Sequence, residues 1–250
     1  MPRFRFAGLV FLLVAVNIGA GILSTVGWFG APLAKGPCAL AAWLLTIVLL
    51  MGCFVIIGRI PPVVDWRGVL IDQRNRISLS RFQLVMWTLL VISGIITEGT
   101  LNAIWVQGNP LDLQIPSQLW ILLGLSSGSA VAAPVVLGMK ADTNSLSTNQ
   151  LNQHGWRDMF YGDDTGNDDQ VDFSKVQQFF FTVVLVMVYG VQLAMIMLGQ
   201  AKLIFPTLDN GFIGLMGVSQ VAYISYKALP QNKTTAPGPS GLAGFQTAAA

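Results

Sequence analysis

The run Ser80-Arg81-Phe82-Gln83-Leu84-Val85-Met86-Trp87-Thr88-Leu89-Leu90-Val91-Ile92-Ser93-Gly94-Ile95-Ile96-Thr97-Glu98 decides the fold, because nothing between Arg81 and Glu98 is charged. A hydrocarbon core of ~30 Å takes about 20 apolar residues to cross at a helical rise of roughly 1.5 Å. A helix starting at Phe82 must therefore continue past Glu98 to reach full length. Working outward, the same test finds five more segments: one inside Phe6 to Ala34, then Cys38 to Gly58, Leu113 to Met139, Val176 to Gln200 and about Leu208 to Tyr226. Closed β-barrels are the other way to span lipid, and they need short alternating segments that this sequence lacks.

Composition agrees. Of 250 residues 53% are hydrophobic and 10% charged, against about 25% charged in a soluble domain, and the mean hydropathy is +0.62. A soluble monomer is excluded, and the reading is an all-α polytopic membrane helix bundle of six transmembrane helices. A net charge of +2 is too small to indicate nucleic acid as a partner. Membrane lipids, other membrane subunits or further copies of the chain, and a cytoplasmic protein are the partners expected.

Even-numbered spans place residues 59–81, residues 140–175 and both termini on one side. That side carries Arg3, Arg5, Arg59, Arg67, Arg74, Arg76, Arg81, Lys140, Arg157, Lys175, Lys227 and Lys233, leaving Lys35 and Lys202 opposite. The positive-inside rule makes it cytoplasmic. Met1-Pro2-Arg3-Phe4-Arg5 has the basic character of a signal-peptide start, but the apolar run behind it exceeds a signal core of ~7–15 residues, so an uncleaved span is expected.

The two halves repeat at an offset of 93 to 94 residues. Ser80-Arg81-Phe82-Gln83 answers Ser174-Lys175-Val176-Gln177, Trp87-Thr88 answers Phe181-Thr182, and Leu123-Gly124-Leu125-Ser126 answers Met216-Gly217-Val218-Ser219; Ile115-Pro116 pairs with Phe205-Pro206 across a loop gap. The spacing Ser-(Arg/Lys)-x-Gln predicts a capping box at each helix start, with the cation held at the headgroups. Pro116 and Pro206 are expected where the return helices begin. The resulting organisation is an N-terminal hairpin (1–58), an interfacial linker (59–81), repeat hairpin 1 (82–139), an acidic loop (140–175), repeat hairpin 2 (176–229) and a Pro/Gly/Ala-rich tail (230–250) whose composition predicts disorder in isolation. Both hairpins enter from the cytoplasm, so the repeats are parallel, an arrangement shared by some transporters and by inert bundles.

Few residues bear on chemistry. In the fourth span Gly124 and Gly128 form GxxxG around Ser126, and Gly217 and Ser219 are their repeat counterparts. Small residues let helices approach closely, which suits a sealed monomer core, a subunit interface or a narrow pore. Glu98, about 16 residues or ~24 Å into its span, is expected as a solvated residue near the outer boundary; the sharper alternative is a cation-selecting ring in an oligomer, with Gln192 or Gln220 along the same path. In the loop 156–172, Asp163, Asp164, Asp168 and Asp169 accompany Trp156, Phe160 and Tyr161. The spacing fails the EF-hand pattern, leaving a solvated loop, a weak divalent-cation site or, as the aromatic rings favour, a docking surface for a cytoplasmic partner. His154 is the only histidine, and Cys38 and Cys53 lie ~22 Å apart if on one helix, beyond disulfide reach. No catalytic residue, cofactor site or metal spacing is expected.

The repeat motif, Asp72-Gln73-Arg74-Asn75-Arg76-Ile77-Ser78-Leu79-Ser80-Arg81 and Asp172-Phe173-Ser174-Lys175-Val176-Gln177-Gln178-Phe179-Phe180-Phe181-Thr182 resemble bacterial six-span integral membrane proteins of unknown function with a duplicated helical hairpin. The resemblance covers the stretch from 65 to 230. It implies a bacterial cytoplasmic membrane and supplies no catalytic residues. The expected role is a non-enzymatic membrane scaffold or anchor subunit that docks a partner through its cytoplasmic loop, with a homo-oligomeric channel or uncoupled transporter as the alternative.

Overall fold

The computed structural model describes residues 2–26, 34–61, 64–72, 74–106, 109, 113–143, 154–163, 170–199 and 202–228. Six α-helices account for most of them: α1 (Pro2–Val26), α2 (Lys35–Gly58), α3 (Leu79–Trp105), α4 (Ser117–Thr143), α5 (Phe173–Gly199) and α6 (Asn210–Ala228). Five of these, α1 to α5, are long and apolar enough to cross a membrane, so this is an all-helical, multi-pass membrane protein. The segment expected as the sixth span is a helix of 19 residues. It falls outside the set because Asn210, Ser219, Gln220, Ser225 and Lys227 dilute its apolar run.

Helix α3 packs against α1, α2, α4 and α5, and the outer helices follow one another around it in the order α1, α2, α5, α6, α4. The shared core is built on Trp43, Trp87, Leu90, Leu101, Tyr189, Leu193, Met197 and Met216. Large apolar side chains also cover the outside: Phe11 is 77% exposed and Val218 71%. Polar side chains point the other way, with Asn17, Thr46, Gln83, Ser93, Gln178 and Thr182 all fully buried. That inversion suits a hydrocarbon solvent, where helix association rests on packing and interhelical hydrogen bonds. Asn17 Nδ2 donates to Thr46 Oγ1 at 2.8 Å, Trp43 Nε1 to Ser93 Oγ at 2.9 Å and Trp105 Nε1 to Ser24 Oγ at 2.8 Å, tying α1 to α2, α2 to α3 and α3 to α1.

The capping boxes expected at Ser80 and Ser174 do not form. Helix α3 starts at Leu79 with Ser78 before it and no side-chain cap, so Ser80 lies inside the first turn and its Oγ faces the Tyr223 hydroxyl at 3.5 Å. At α5 it is Asp172 that caps, accepting from Ser174 N at 2.9 Å and Ser174 Oγ at 2.6 Å. A carboxylate there also suits the positive end of the helix dipole. Pro116 immediately precedes α4 as expected, whereas Pro206 stands four residues before α6.

At the other side of α3's start, the segments expected as a linker and an acidic loop fold together into a cap. Ile71, Ile77 and Met159 form its small core, with Leu70, Phe82, Phe160 and Phe179 packed around them. Backbone bridges pair Ile71 with Ile77 and Tyr161 with Val171. The turn between the first pair needs a left-handed residue, which Asn75 supplies at φ 59, as Asn tolerates better than most. Gly58 at the end of α2 and Gly68 in the cap approach so closely that a Cβ on Gly68 would strike the Gly58 carbonyl. The tail 230–250 lies outside the described residues.

Candidate functional site

The cap is held to the helix ends by Asp163. Its carboxylate pairs with Arg74 Nη2 at 2.9 Å through Oδ1, and with Lys175 Nζ and Lys227 Nζ, each at 3.0 Å, through Oδ2. Arg74 comes from the linker, Lys175 from the start of α5 and Lys227 from the end of α6, so one carboxylate joins three parts of the chain. Asp72 holds Arg74 from behind at 2.9 Å, Lys175 Nζ also donates to the Tyr161 carbonyl at 2.5 Å and Lys227 Nζ to the Tyr223 hydroxyl at 2.8 Å. Side-chain exposure is 11% at Asp163, 3% at Lys175 and 5% at Lys227. Burial by itself would raise the Asp163 carboxyl, but Lys227, Lys175 and Arg74 together outweigh it and hold the group well below the usual carboxylate range. Lys175 was expected at the headgroups; it is instead buried because this charge network satisfies it.

A second tie crosses the cap at His154, whose Nε2 lies 2.9 Å from Asp65 Oδ2 and whose Nδ1 lies 3.1 Å from Asn75 Oδ1. Hydrogen bonds from the Arg67 side chain and backbone, then from His154, keep the Asp65 carboxyl well below its ordinary value. These contacts revise the docking surface expected in the loop. Asp163 is spent on internal cations, Phe160 packs on Phe179 with ring centroids 5.1 Å apart, and the Tyr161 hydroxyl accepts from Arg157 at 2.7 Å. Trp156 remains 44% exposed beside Trp66, which is 52% exposed; their rings lie 6.2 Å apart. Asp164, Asp168 and Asp169 lie outside the described residues. A carboxylate facing two ammonium groups and a guanidinium is also no metal ligand, since the cations repel the metal.

One turn inside the bundle Gln83 forms a polar knot. Gln83 Nε2 donates to Thr182 Oγ1 at 2.6 Å, while Gln83 Oε1 accepts from Gln178 at 3.2 Å and from Gln220 at 3.0 Å. The residue that meets Gln83 is Gln178, not Gln177, the position matched to it by the repeat expected from the sequence; Gln177 is exposed. Gln220 is therefore bonded inside the protomer, and Gln192 faces outward.

Glu98 is not at a wet boundary. It is fully buried, and neither of its carboxylate oxygens has a hydrogen-bond partner. The side chain is therefore buried inside the protomer rather than on its outer surface. The small-residue motif divides as well: Ser126 and Ser129 are buried, Ser219 is 8% exposed, but Gly124 and Gly128 are exposed, and a Cβ on either, or on Gly217, would meet nothing within 4 Å. The glycine ridge therefore does not seal the monomer core; it is an open outer face of α4.

Sequence reasoning missed the Asp163 network, since its partners lie far away in the chain, Arg74 by 89 residues. The available signal was the excess of cations at both helix ends flanking the acidic loop. No family model, curated protein or solved structure matches the chain.

Proposed function

We propose that the chain is a non-enzymatic integral membrane scaffold or anchor subunit of a larger assembly in a bacterial cytoplasmic membrane. In this reading all six helices cross the bilayer, residues 82–139 and 176–229 form tandem parallel hairpins, and both termini and the cap face the cytoplasm. The asymmetry of Lys and Arg supports that orientation, as does the exposed rim of Ile60, Val64, Trp66, Trp156 and Phe173 beside Arg67, a composition suited to the headgroup level and to anionic lipid.

The observation that carries the reading is the cap itself. Asp163 fastens the cap to two helix ends, through Lys175 and Lys227, and to the linker through Arg74, as a platform requires if a partner bound to it is to be held at a fixed position on the membrane. The Trp66–Trp156 edge is the docking element, and the open Gly124/Gly128 ridge is where a neighbouring subunit's helix can come close. The test is the native mass and subunit composition of the protein extracted in mild detergent. Other polypeptides in fixed ratio support the scaffold, and their loss on Trp156→Ala assigns the edge. A homo-oligomer with no companion overturns it.

A further inference from the structure

Glu98 is the only glutamate in the 250 residues, and it is fully buried in α3, the helix around which the others are arranged. An ionised carboxylate in such surroundings costs many kcal/mol unless it is paired, and intramembrane carboxylates are functional by default. Here both oxygens are unbonded, as is the hydroxyl of its neighbour Thr97. Among the described residues, the elements packed around it offer no counter-charge to its oxygens. Among the described side chains α1 and α4 carry no ionisable group. Lys35 of α2 lies over the Trp105 ring, 5.4 Å from its centroid, and Lys227 of α6 is committed to Asp163. The segment before α6 carries Lys202 and Asp209, and neither bonds the Glu98 oxygens. The Tyr189 hydroxyl of α5 donates to the Pro206 carbonyl at 3.0 Å.

The segment 202–208 closes over this part of α3. Leu203, Phe205 and Leu208 are buried, and Asn102, one turn beyond Glu98, grips Leu203 with both ends of its amide, accepting at 3.0 Å and donating at 2.8 Å. Phe205 lies against Gly94, where an added Cβ would stand 3.0 Å from its ring. Three polar side chains of this region are spent elsewhere: the Asn102 amide on Leu203, the Tyr189 hydroxyl on Pro206 and the Ser93 hydroxyl on Leu90 and Trp43. A metal cation needs several oxygen ligands, and the two carboxylate oxygens and Thr97 are too few. A proton needs one oxygen.

We propose that Glu98 is a proton-binding site: in the closed bundle it is a neutral carboxylic acid, sealed beneath the 202–208 segment. This goes beyond the scaffold reading and does not depend on it. The Glu98 proton leaves only when that segment lifts and admits water to the carboxylate.

Infrared absorption of the purified full chain in detergent at neutral pH tests this directly. The expected result is a protonated-carboxyl band in the wild type that is lost in Glu98→Gln and exchanges slowly in D2O. Glu98→Asp should retain the band at a displaced position, which keeps the test open should the Gln variant fold poorly. Tyr189→Phe, which frees Pro206, should speed the exchange. Absence of the band in the wild type, or its persistence in Glu98→Gln, overturns the proposal. A band abolished by adding sodium overturns it in favour of a cation site, and exchange as fast as that of an exposed aspartate shows a hydrated carboxylate instead.

Discussion

Asp163 and Glu98 are both carboxylates taken out of water, and the protein treats them in opposite ways. Asp163, in the cap, is met by three cations within 3.0 Å. Glu98, in the bundle, is met by none among the described residues, and both its oxygens are unbonded there. The cap can spend charge because chain from the linker, α5 and α6 converges there, and desolvated charges are tolerable when paired and hydrogen-bonded. Among the described residues the bundle interior has polar groups for packing but no cation beside Glu98. A compensated carboxylate is a structural clamp; an uncompensated one is stable only while it holds its proton.

Breaking the clamp has the largest effect. Asp163→Asn leaves three buried or nearly buried cations without their counter-ion and should cost about 3–5 kcal/mol, read as earlier thermal unfolding in detergent and faster proteolysis of the cap. Its pH dependence follows from the direction of the shift. The folded carboxyl lies well below its unfolded value, ~3.9 for an unperturbed Asp, so the stabilisation is fully present above that value and is lost as pH falls from there through the folded one. Fluorescence of the Trp66–Trp156 edge should therefore stay constant from neutral to mildly acid pH and change only in strong acid.

Gly68→Ala attacks the cap by a different route, driving a Cβ into the Gly58 carbonyl, and should cost about 1–3 kcal/mol of overpacking, measured by the same unfolding curves. Glu98→Gln sharpens the comparison: replacing a neutral acid by a neutral amide of equal size should shift unfolding by no more than about 1 kcal/mol, far less than the matching change at Asp163. The smallest effect belongs to Gly124→Ala. Nothing stands within 4 Å of the new methyl group, so the monomer should change by no more than about 1 kcal/mol, towards greater stability because Ala is the better helix former; native mass reports whether the ridge is a contact between copies.

The membrane bundle and the positions of α1 to α5 were legible in the sequence, because hydropathy and span length accumulate along the chain and need no knowledge of neighbours. Helix starts could be read only to within a few residues: Leu79 was assigned to the approach to α3 and Phe173 to the approach to α5, yet both are helical. Rotation about each helix axis was not legible. One residue turns a side chain by about 100°, which is why Gln178 and not Gln177 meets Gln83, and why Gly124 faces outward while Ser126 faces in. The sequence by itself determined an all-helical membrane chain with a charged end, since those are local and additive properties. Only the tertiary structure decided that the Asp163 carboxylate is paired and the Glu98 carboxylate is not, because pairing depends on which distant segments the packing brings within hydrogen-bond reach: three cations for Asp163 and, among the described residues, none for Glu98.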